Sequence, residues 1–334
     1  MRVQTIVAAA ALLGASATAA AAQQVNQTVA TGATGSVEVH AVSGQVRVTG
    51  WGRNQVQVTG TLSGAGERVE VDDQDGDVVV RVTYPRGRTW HGSGGNSRGA
   101  QLEVRVPSRK HVEVHVVSAS IQVEGIDGAV EAQSVSGGIR VANSRARSIS
   151  ANTRSGTVEV NADADRVEAA SVSGNVTVSG TVRDRVEANS VSGIVRITAA
   201  AGTVEANSVS GGVEVASMRG RAEVHSVSGD VRVTGRNLSG SFQTVSGEIT
   251  ITGDLARGAD LELTTHSGDV VLHLPGGASA EVDFSTFSGG IHADYPGARV
   301  ERQSRRESRV TIGGGGGTRV TAQTFSGDVR LVRR

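Results

Sequence analysis

A Ser-Gly step that recurs at nearly constant spacing limits the possible folds of this chain more than any other feature. In the middle of the sequence the steps lie 18 or 19 residues apart. Their serines are Ser136, Ser155, Ser173, Ser192, Ser210, Ser228 and Ser246. Later copies at Ser267, Ser288 and Ser326 follow at wider spacings of 21, 21 and 38 residues. Such a period indicates a repeat protein in which each unit packs on its neighbours.

Small apolar residues alternate with polar residues on both sides of each step. Val167 and Ala169 precede the step at Ser173, and Val176 and Val178 follow it. Because successive side chains of a strand point to opposite faces, each unit is predicted to be two short strands joined by a glycine bend. One unit cannot bury its apolar face alone, whereas stacked units form a continuous core.

This pattern predicts an all-β fold, a single-stranded parallel β-solenoid with rungs of about 18 residues and less regular β caps. Right-handed coiling is expected because most parallel crossovers have that hand. A left-handed hexapeptide solenoid has coils of similar length, but it needs an aliphatic residue at every sixth position. Ser173 and Ser192 stand six residues after Val167 and Val186, which excludes that alternative.

The two residues before each step predict which side of the strand faces the core. The second residue before the serine is Ser or Thr, as in Ser171 and Ser190. The residue directly before it is usually Val, but Arg154 and His266 also occupy this position. Because an unpaired Arg is very costly to bury, we expect an inward column of hydroxyls and an outward column of valines. The outward valines are Val172, Val191, Val209, Val227 and Val245.

The first residues are typical of a secretory signal. Residues 1–22 place Arg2 before an apolar run and end in small residues suited to cleavage. A buried alanine-rich helix and an uncleaved anchor are the alternatives. No later stretch is long and apolar enough to cross a bilayer. We therefore expect an exported protein, periplasmic, cell-surface or extracellular, with no transmembrane segment after the signal is removed.

Regularity of the repeat divides the rest of the chain into three parts. The predicted parts are an N-terminal β-rich cap with the first rungs (23–107, with a Gly-rich loop at 84–100), the regular β-solenoid (108–293) and a C-terminal rung and cap (294–334). Open sheet ends invite pairing with other chains. We expect residues 53–83 to cover one end, and Arg330, Arg333 and Arg334 on the last strand to protect the other.

Composition excludes several functional classes. The chain has 33 Lys and Arg against 33 Asp and Glu, so it lacks the basic field that attracts nucleic acid. It has no Cys, which excludes disulfides, thiolate metal sites, cysteine nucleophiles and a lipid-anchored cysteine. No motif requires a cofactor, and none is expected. Aromatic residues make up only 2% of the chain, so its core must consist mainly of Val and Ala.

A column of carboxylates is the most suggestive charged feature. Its members stand five residues before the serines, at Glu131, Glu168, Glu187, Glu205 and Glu223. Stacked carboxylates repel, so they could bind a cation or a polyol. Arginines stand two residues before three of them, at Arg166, Arg185 and Arg221. We therefore favour a charge-paired, solvated face over a ligand site.

Three histidines share another outward column, at His40, His115 and His225. Their sequence positions predict that they lie on non-adjacent rungs. A metal site needs closer clustering, so no metal ligand is predicted.

Several segments resemble one bacterial family. They are VSGQVRVTGWGRNQVQVTG from Val42 to Gly60, LEVRVP from Leu102 to Pro107, the VSG repeats, and TFSGDVRLV from Thr324 to Val332. The chain resembles the bacterial putative-adhesin family, β-strand-repeat domains largely of unknown function, over almost its whole mature length. This resemblance implies the repeat fold and, by the family name, adhesion; it implies no catalytic residues. Ala119 replaces the expected Gly, so we expect that bend to differ.

These observations favour an exported, non-enzymatic structural or adhesive β-solenoid whose flat faces contact envelope polymer, a surface or a partner protein. The predicted contact strip is the outward column Val172, Val191, Val209, Val227 and Val245. Contiguous exposed apolar area marks interaction sites, although Val also favours strand formation by itself.

The alternative function is a carbohydrate-binding or polysaccharide-cleaving β-helix that uses the terminal loops. Its candidate walls are the loop at 84–100, with Trp90 beside His91, and the tract from Asp294 to Thr318. The regular coils leave almost no room for a deep cleft. No catalytic residue is assigned, and the expected envelope or surface partner is a protein or a polysaccharide.

Overall fold

The structure is a computed structural model that describes residues 23–63, 67–84, 99–314 and 317–334. The predicted signal segment at 1–22 and most of the predicted loop at 84–100, with Trp90 and His91, lie outside the described residues. Every regular element within these ranges is a strand, and all 25 strands join one hydrogen-bonded sheet. The described part of the chain contains no helix of the length and apolarity needed to span a membrane.

The strands, numbered in chain order, are β1 (Gln23–Ala30), β2 (Ser36–Trp51), β3 (Gln55–Leu62), β4 (Arg68–Gln74), β5 (Asp77–Thr83), β6 (Ala100–Pro107), β7 (His111–Glu124), β8 (Val130–Ser136), β9 (Ile139–Ser144), β10 (Ser148–Ser155), β11 (Val158–Ser171), β12 (Val176–Ser190), β13 (Val195–Ile197), β14 (Ala200–Ser208), β15 (Val213–Ser228), β16 (Val231–Ser246), β17 (Ile249–Leu255), β18 (Asp260–Ser267), β19 (Val270–Leu274), β20 (Ala280–Ser288), β21 (Ile291–Asp294), β22 (Arg299–Arg302), β23 (Glu307–Ile312), β24 (Arg319–Ser326) and β25 (Val329–Arg333).

Each regular coil has one strand segment before its Ser-Gly bend and one after it. The segments before the bends stack in parallel, so that Val167 pairs with Ile149 on one side and Val186 on the other. The segments after the bends form a second parallel stack, in which Val176 pairs with Val158 and Val195. We call these stacks the pre-bend ladder and the post-bend ladder. The predicted parallel solenoid is thus confirmed.

The core lies between the two ladders. Val167 and Ala169 of the pre-bend ladder and Val176 and Val178 of the post-bend ladder are completely buried. Burial of each such Val contributes about 1.5–3 kcal/mol, and the next rung repeats the contact. Stability therefore accumulates along the stack, even though few large side chains are available.

The variation between 18 and 19 residues per coil is absorbed at the corner opposite the Ser-Gly bend. Val182 pairs with Ala201, 19 residues later, whereas Arg185 pairs with Thr203, 18 residues later. The strand bulges between these pairs, as a single extra residue in a ladder requires. The Ser-Gly bends therefore remain aligned from rung to rung.

The C-terminal coil lies inside the stack and not at its end. β24 pairs in parallel with β18 and β20, and β25 pairs with β19 and β21. The antiparallel strand β23 already occupies the outer edge of β20, and β22 pairs with β23. The returning chain is therefore inserted between two coils that are consecutive in sequence.

This insertion contradicts the expectation that Arg330, Arg333 and Arg334 protect an open end. β25, which carries Arg330, lies between two other strands of the post-bend ladder. The Arg330 guanidinium bonds to the carboxylates of Asp269 and Asp328 at 3.2 and 2.6 Å. Its charge thus joins neighbouring rungs. At this end the antiparallel strands β22 and β23 cover the edge of the pre-bend ladder.

The N-terminal end has the same construction. β2 pairs with β7 on one side and with β5 and β6 on the other. The antiparallel strands β4, β3 and β1 then cover the outer edges. Of the segment expected to cover this end, the strands β3 and β4 contribute antiparallel partners. The division of the chain into domains at 107 and 293 stays a prediction.

A buried lysine joins the N-terminal cap to the stack. Lys110 is buried directly before β7, and its Nζ donates to the carbonyl oxygens of Thr34, at 2.9 Å, and Gly76. Burial lowers the pKa of Lys110, and the nearby Asp77 carboxylate opposes that shift. The repeat pattern did not point to this residue.

The close stacking of the rungs explains why the bends contain glycine. A Cβ on Gly211 would fall within the carbonyl group of Gly193 on the preceding rung. The neighbouring Gly212 has more room, because its Cβ would lie 3.3 Å from the carbonyl oxygen of Asp230. At Ala119, the expected exception, β7 continues through the bend position and Ala119 pairs with Gly44.

Gly211→Ala is expected to lower the free energy of unfolding by about 1–3 kcal/mol, since two rungs must separate to admit the methyl group. Gly212→Ala is the matched control and should change stability by no more than about 0.5–1 kcal/mol. Thermal unfolding followed by circular dichroism measures both. Equal stabilities for the two variants would contradict the stacking explanation.

Deletion of residues 319–334 is expected to release β20 and β21, which would lose the partners that join them to the stack. Amide hydrogen exchange should then become fast at 280–294 and remain slow at 158–215. Deletion of Arg333 and Arg334 alone is the control and should leave both regions protected. Slow exchange at 280–294 in the longer deletion would show that β20 and β21 stay folded without the inserted strands β24 and β25.

Candidate contact surface

The residues directly before the serines form one continuous exposed column along the bends. We call this column the edge strip. Val42, on the rung beside Val117, is half-buried and is not counted in it. The eleven exposed members, in spatial order, are Val117, Val135, Arg154, Val172, Val191, Val209, Val227, Val245, His266, Phe325 and Phe287. The Val and Phe side chains are 42–52% exposed. At about 4.8 Å per rung the edge strip is about 48 Å long.

A ladder of buried hydroxyls fixes the orientation of the edge strip. Ser171 Oγ donates to the carbonyl oxygen of Gly156 at 2.9 Å, and Ser190 Oγ donates to that of Gly174 at 3.0 Å. The same bond to the bend residue of a neighbouring rung is made by Ser134, Thr153, Ser208, Ser226, Thr244, Thr265, Thr286 and Thr324. All these residues are buried, as predicted. Because side chains alternate, each inward hydroxyl sets the following residue outward.

Backbone groups along the edge strip are already bonded between rungs. Val191 N donates to the carbonyl oxygen of Ser171 at 3.3 Å, and Ser192 N donates to that of Val172 at 2.9 Å. Val209 and Ser210 repeat this pattern one rung later. The edge strip therefore offers apolar side chains to a partner and no free strand edge for added β-pairing.

The C-terminal end of the edge strip is an aromatic stack. The Phe325 ring lies 4.8 Å from both His266 and Phe287, with nearly parallel planes. The Arg306 guanidinium covers the other face of Phe287, 4.1 Å from its centroid. These contacts occupy both faces of Phe325 and Phe287, so a sugar ring would meet their edges. The stack exists because β24 is inserted between β18 and β20.

A groove of about 710 Å³ runs beside this stack. Its walls include the polar side chains of Gln243, Thr264, Ser285, Gln323 and Arg306. Arg306 belongs to the tract from Asp294 to Thr318 that the sequence marked as a candidate wall. Among the described residues, the Thr264 hydroxyl is the buried side-chain polar atom that lacks a hydrogen-bond partner.

The predicted charge pairing of the glutamate column is confirmed for two of its members. Arg185 pairs with Glu205 one rung away, and Arg221 bonds to Glu223 within its own strand at 2.8 Å. This hydrogen bond and the Arg221 charge lower the pKa of Glu223. The residues are substantially exposed, so the pairs add little stability.

The expected pairing is wrong for Arg166. Its guanidinium reaches Asp184 at 3.1 Å, on the bulged corner of the next coil, and makes no ion pair with Glu168. Glu187 likewise does not pair with the arginine two residues before it, Arg185, and accepts a hydrogen bond from Asn189 at 3.2 Å. The bulge provides Arg166 with a carboxylate that the regular register does not.

The expected separation of the three histidines is also wrong for one pair. His40 and His115 face each other on adjacent rungs, with ring centroids 5.4 Å apart. The strands β3, β4, β5 and β6 come between them in the sequence, and β7 then returns directly against β2. His225 is remote from them in the ladder, between Asn207 and Gln243.

Comparison with known proteins identifies the family. A model of the Toastrack DUF4097 family matches residues 37–332, which confirms the resemblance drawn from the sequence. No curated protein matches the chain.

Three solved structures are similar at low identity. A "putative cell adhesion protein" from Clostridium sporogenes is 9% identical, with a TM-score of 0.25, and the match covers 94% of this chain and 100% of that one. A "putative adhesin" from Bacteroides fragilis is 10% identical, with a TM-score of 0.38 and coverage of 93% and 97%. A "putative lipid binding protein" from Parabacteroides distasonis is 14% identical, with a TM-score of 0.34 and coverage of 70% and 93%. Likeness of this degree does not define an activity. Since the family model spans most of its length, the chain belongs to the Toastrack DUF4097 family.

Proposed function

We propose that this protein is an exported, non-enzymatic adhesive scaffold that contacts an envelope polymer, a surface or a partner protein through the edge strip. The observation that carries the proposal is the exposed apolar column, which persists over nearly all rungs of the stack. Contiguous exposed apolar area is a mark of interaction surfaces. A column about 48 Å long suits an elongated partner that lies parallel to the solenoid axis.

Strand propensity alone does not account for these valines. From the coil of Arg154 to that of Val245, the first outward position of the post-bend ladder is polar: Glu159, Thr177, Arg196, Glu214, Arg232 and Thr250. Val271 follows in the next coil. Exposed strand positions of this fold therefore accept polar side chains. The choice of Val along the bends favours a contact role for the edge strip.

Val191→Arg combined with Val227→Arg is expected to weaken partner binding at least about tenfold, since it places charge in a contact that must be desolvated. The fold should persist because Arg154 occupies the same column. The tagged mature protein is used to capture material from envelope extracts, and the bound material is quantified. Thr177→Arg with Thr252→Arg, on the post-bend face, is the matched control and should bind normally. Equal capture by both double variants would contradict the proposal.

Carbohydrate binding in the groove beside the aromatic stack is a second candidate. Its polar walls, in particular Gln323 and Ser285, match the hydroxyl groups of a polysaccharide. Gln323→Ala is expected to abolish retention on a polysaccharide panel, whereas Gln133→Ala, in the same column far from the groove, should have no effect. Retention that is the same in both variants, or absent from the native protein, would exclude this site. New reducing ends in the incubated polysaccharide would instead identify an enzyme.

A further inference from the structure

The outward faces of β2 and β7 bring five metal-binding side chains together near the N-terminal cap. β2 carries Glu38 and His40, and β7 carries His111, Glu113 and His115. Alternate residues of a strand share a face, so each set projects to the same side. The register places Glu38 opposite Glu113 and His40 opposite His115. We call this group the Glu-His cluster.

Three members of the Glu-His cluster already converge. One ligand atom from each of Glu38, Glu113 and His115 lies within 4.8 Å of the other two. Around a zinc ion with bonds of about 2.0–2.2 Å, such atoms would be about 3.3 Å apart. All three side chains are half-buried on rigid strands. Zinc binding would therefore require each pair of these ligand atoms to approach by at most about 1.5 Å.

The other two histidines of the cluster each lie against one of these carboxylates: His40 against Glu38 and His111 against Glu113. His40 Nε2 lies 2.6 Å from a carboxylate oxygen of Glu38 and its ring stacks on His115. His111 Nδ1 lies 3.6 Å from one oxygen of Glu113, and His115 Nε2 lies 3.9 Å from the other. The hydrogen bond between His40 and Glu38 is of the kind that orients ligands in metal sites, whereas the two longer separations at Glu113 are charge contacts.

The charged partners of the cluster differ from those of two other glutamates in the column. Glu205 and Glu223 pair with arginines, whereas within the described ranges the ion pairs of Glu38 and Glu113 are with histidines. On the next rung Glu131, a third carboxylate, faces Glu113. Arg81 faces His40 from β5 and forms no ion pair with the cluster in the described part of the chain. Opposed carboxylates repel, so a cation between them relieves a local electrostatic cost.

We propose that Glu38, Glu113 and His115 bind a divalent zinc ion on the surface of the solenoid, with His40 as the group that orients Glu38. Imidazole and carboxylate ligands together suit zinc, whereas calcium and magnesium prefer oxygen ligands alone. The ion would link β2 to β7, two rungs whose sequences are separated by the whole N-terminal cap. Its remaining coordination position would face solvent.

The test titrates zinc chloride into the tag-free mature protein after removal of metals with a chelator. Isothermal titration calorimetry should give one zinc ion per chain. His115→Ala and Glu113→Gln should each weaken zinc binding at least about tenfold. His225→Ala removes a histidine from the same column between Asn207 and Gln243, and it should bind zinc as the native protein does.

Two further measurements separate this site from nonspecific binding. Zinc should raise the thermal unfolding midpoint of the native protein and of His225→Ala, but not that of Glu113→Gln, because the ion binds only the folded chain. Magnesium at the same concentration should leave the midpoint unchanged. The proposal is overturned if zinc binding does not saturate at one ion per chain, or if both cluster variants bind zinc normally. If His115→Ala does not fold, Glu113→Gln decides the question, because it preserves the shape of the side chain.

Discussion

The hydrogen bond from each inward hydroxyl to the carbonyl oxygen of a neighbouring bend is the interaction on which the other features depend. At a bend the backbone leaves the regular ladder, and its carbonyl group would otherwise be buried without a partner. Ser171, Ser190 and their equivalents supply that partner in every regular coil. Each bond also holds two bends so close that only glycine fits at most of them. The hydroxyl ladder thus satisfies the bend and aligns the rungs, and it places the edge strip outside.

A stack of parallel strands has two open ends, and this chain covers them in the same way. At each end a coil near the chain terminus, β2 or β24 with β25, is held between two other coils. Antiparallel strands then cover β5 and β6 at the N-terminal end and β20 at the C-terminal end. Exposed parallel edges would invite pairing with other chains, and this arrangement removes much of that edge while it anchors both termini.

Stacking also multiplies the effect of each side chain, because the same sequence position recurs about every 4.8 Å. Val at one position becomes an apolar strip, and aromatic residues at its end become a stack. Glu at another position becomes a column of repelling charges, which arginines relieve in one region and histidines contact in another. The chemistry of this surface is therefore set by columns, and a single residue acquires its environment from the rungs above and below it.

The sequence by itself determined the parallel repeat, the inward hydroxyls and the outward valines. Within the unbroken run, residues 18 or 19 positions apart must be neighbours, so the columns follow from the period. The tertiary structure alone decided the contacts at both ends. His40 lies beside His115, and Phe287 lies beside Phe325, because distant strands are inserted between or against existing rungs. Such pairings depend on which sheet edge is free when the chain returns, and no local period records that.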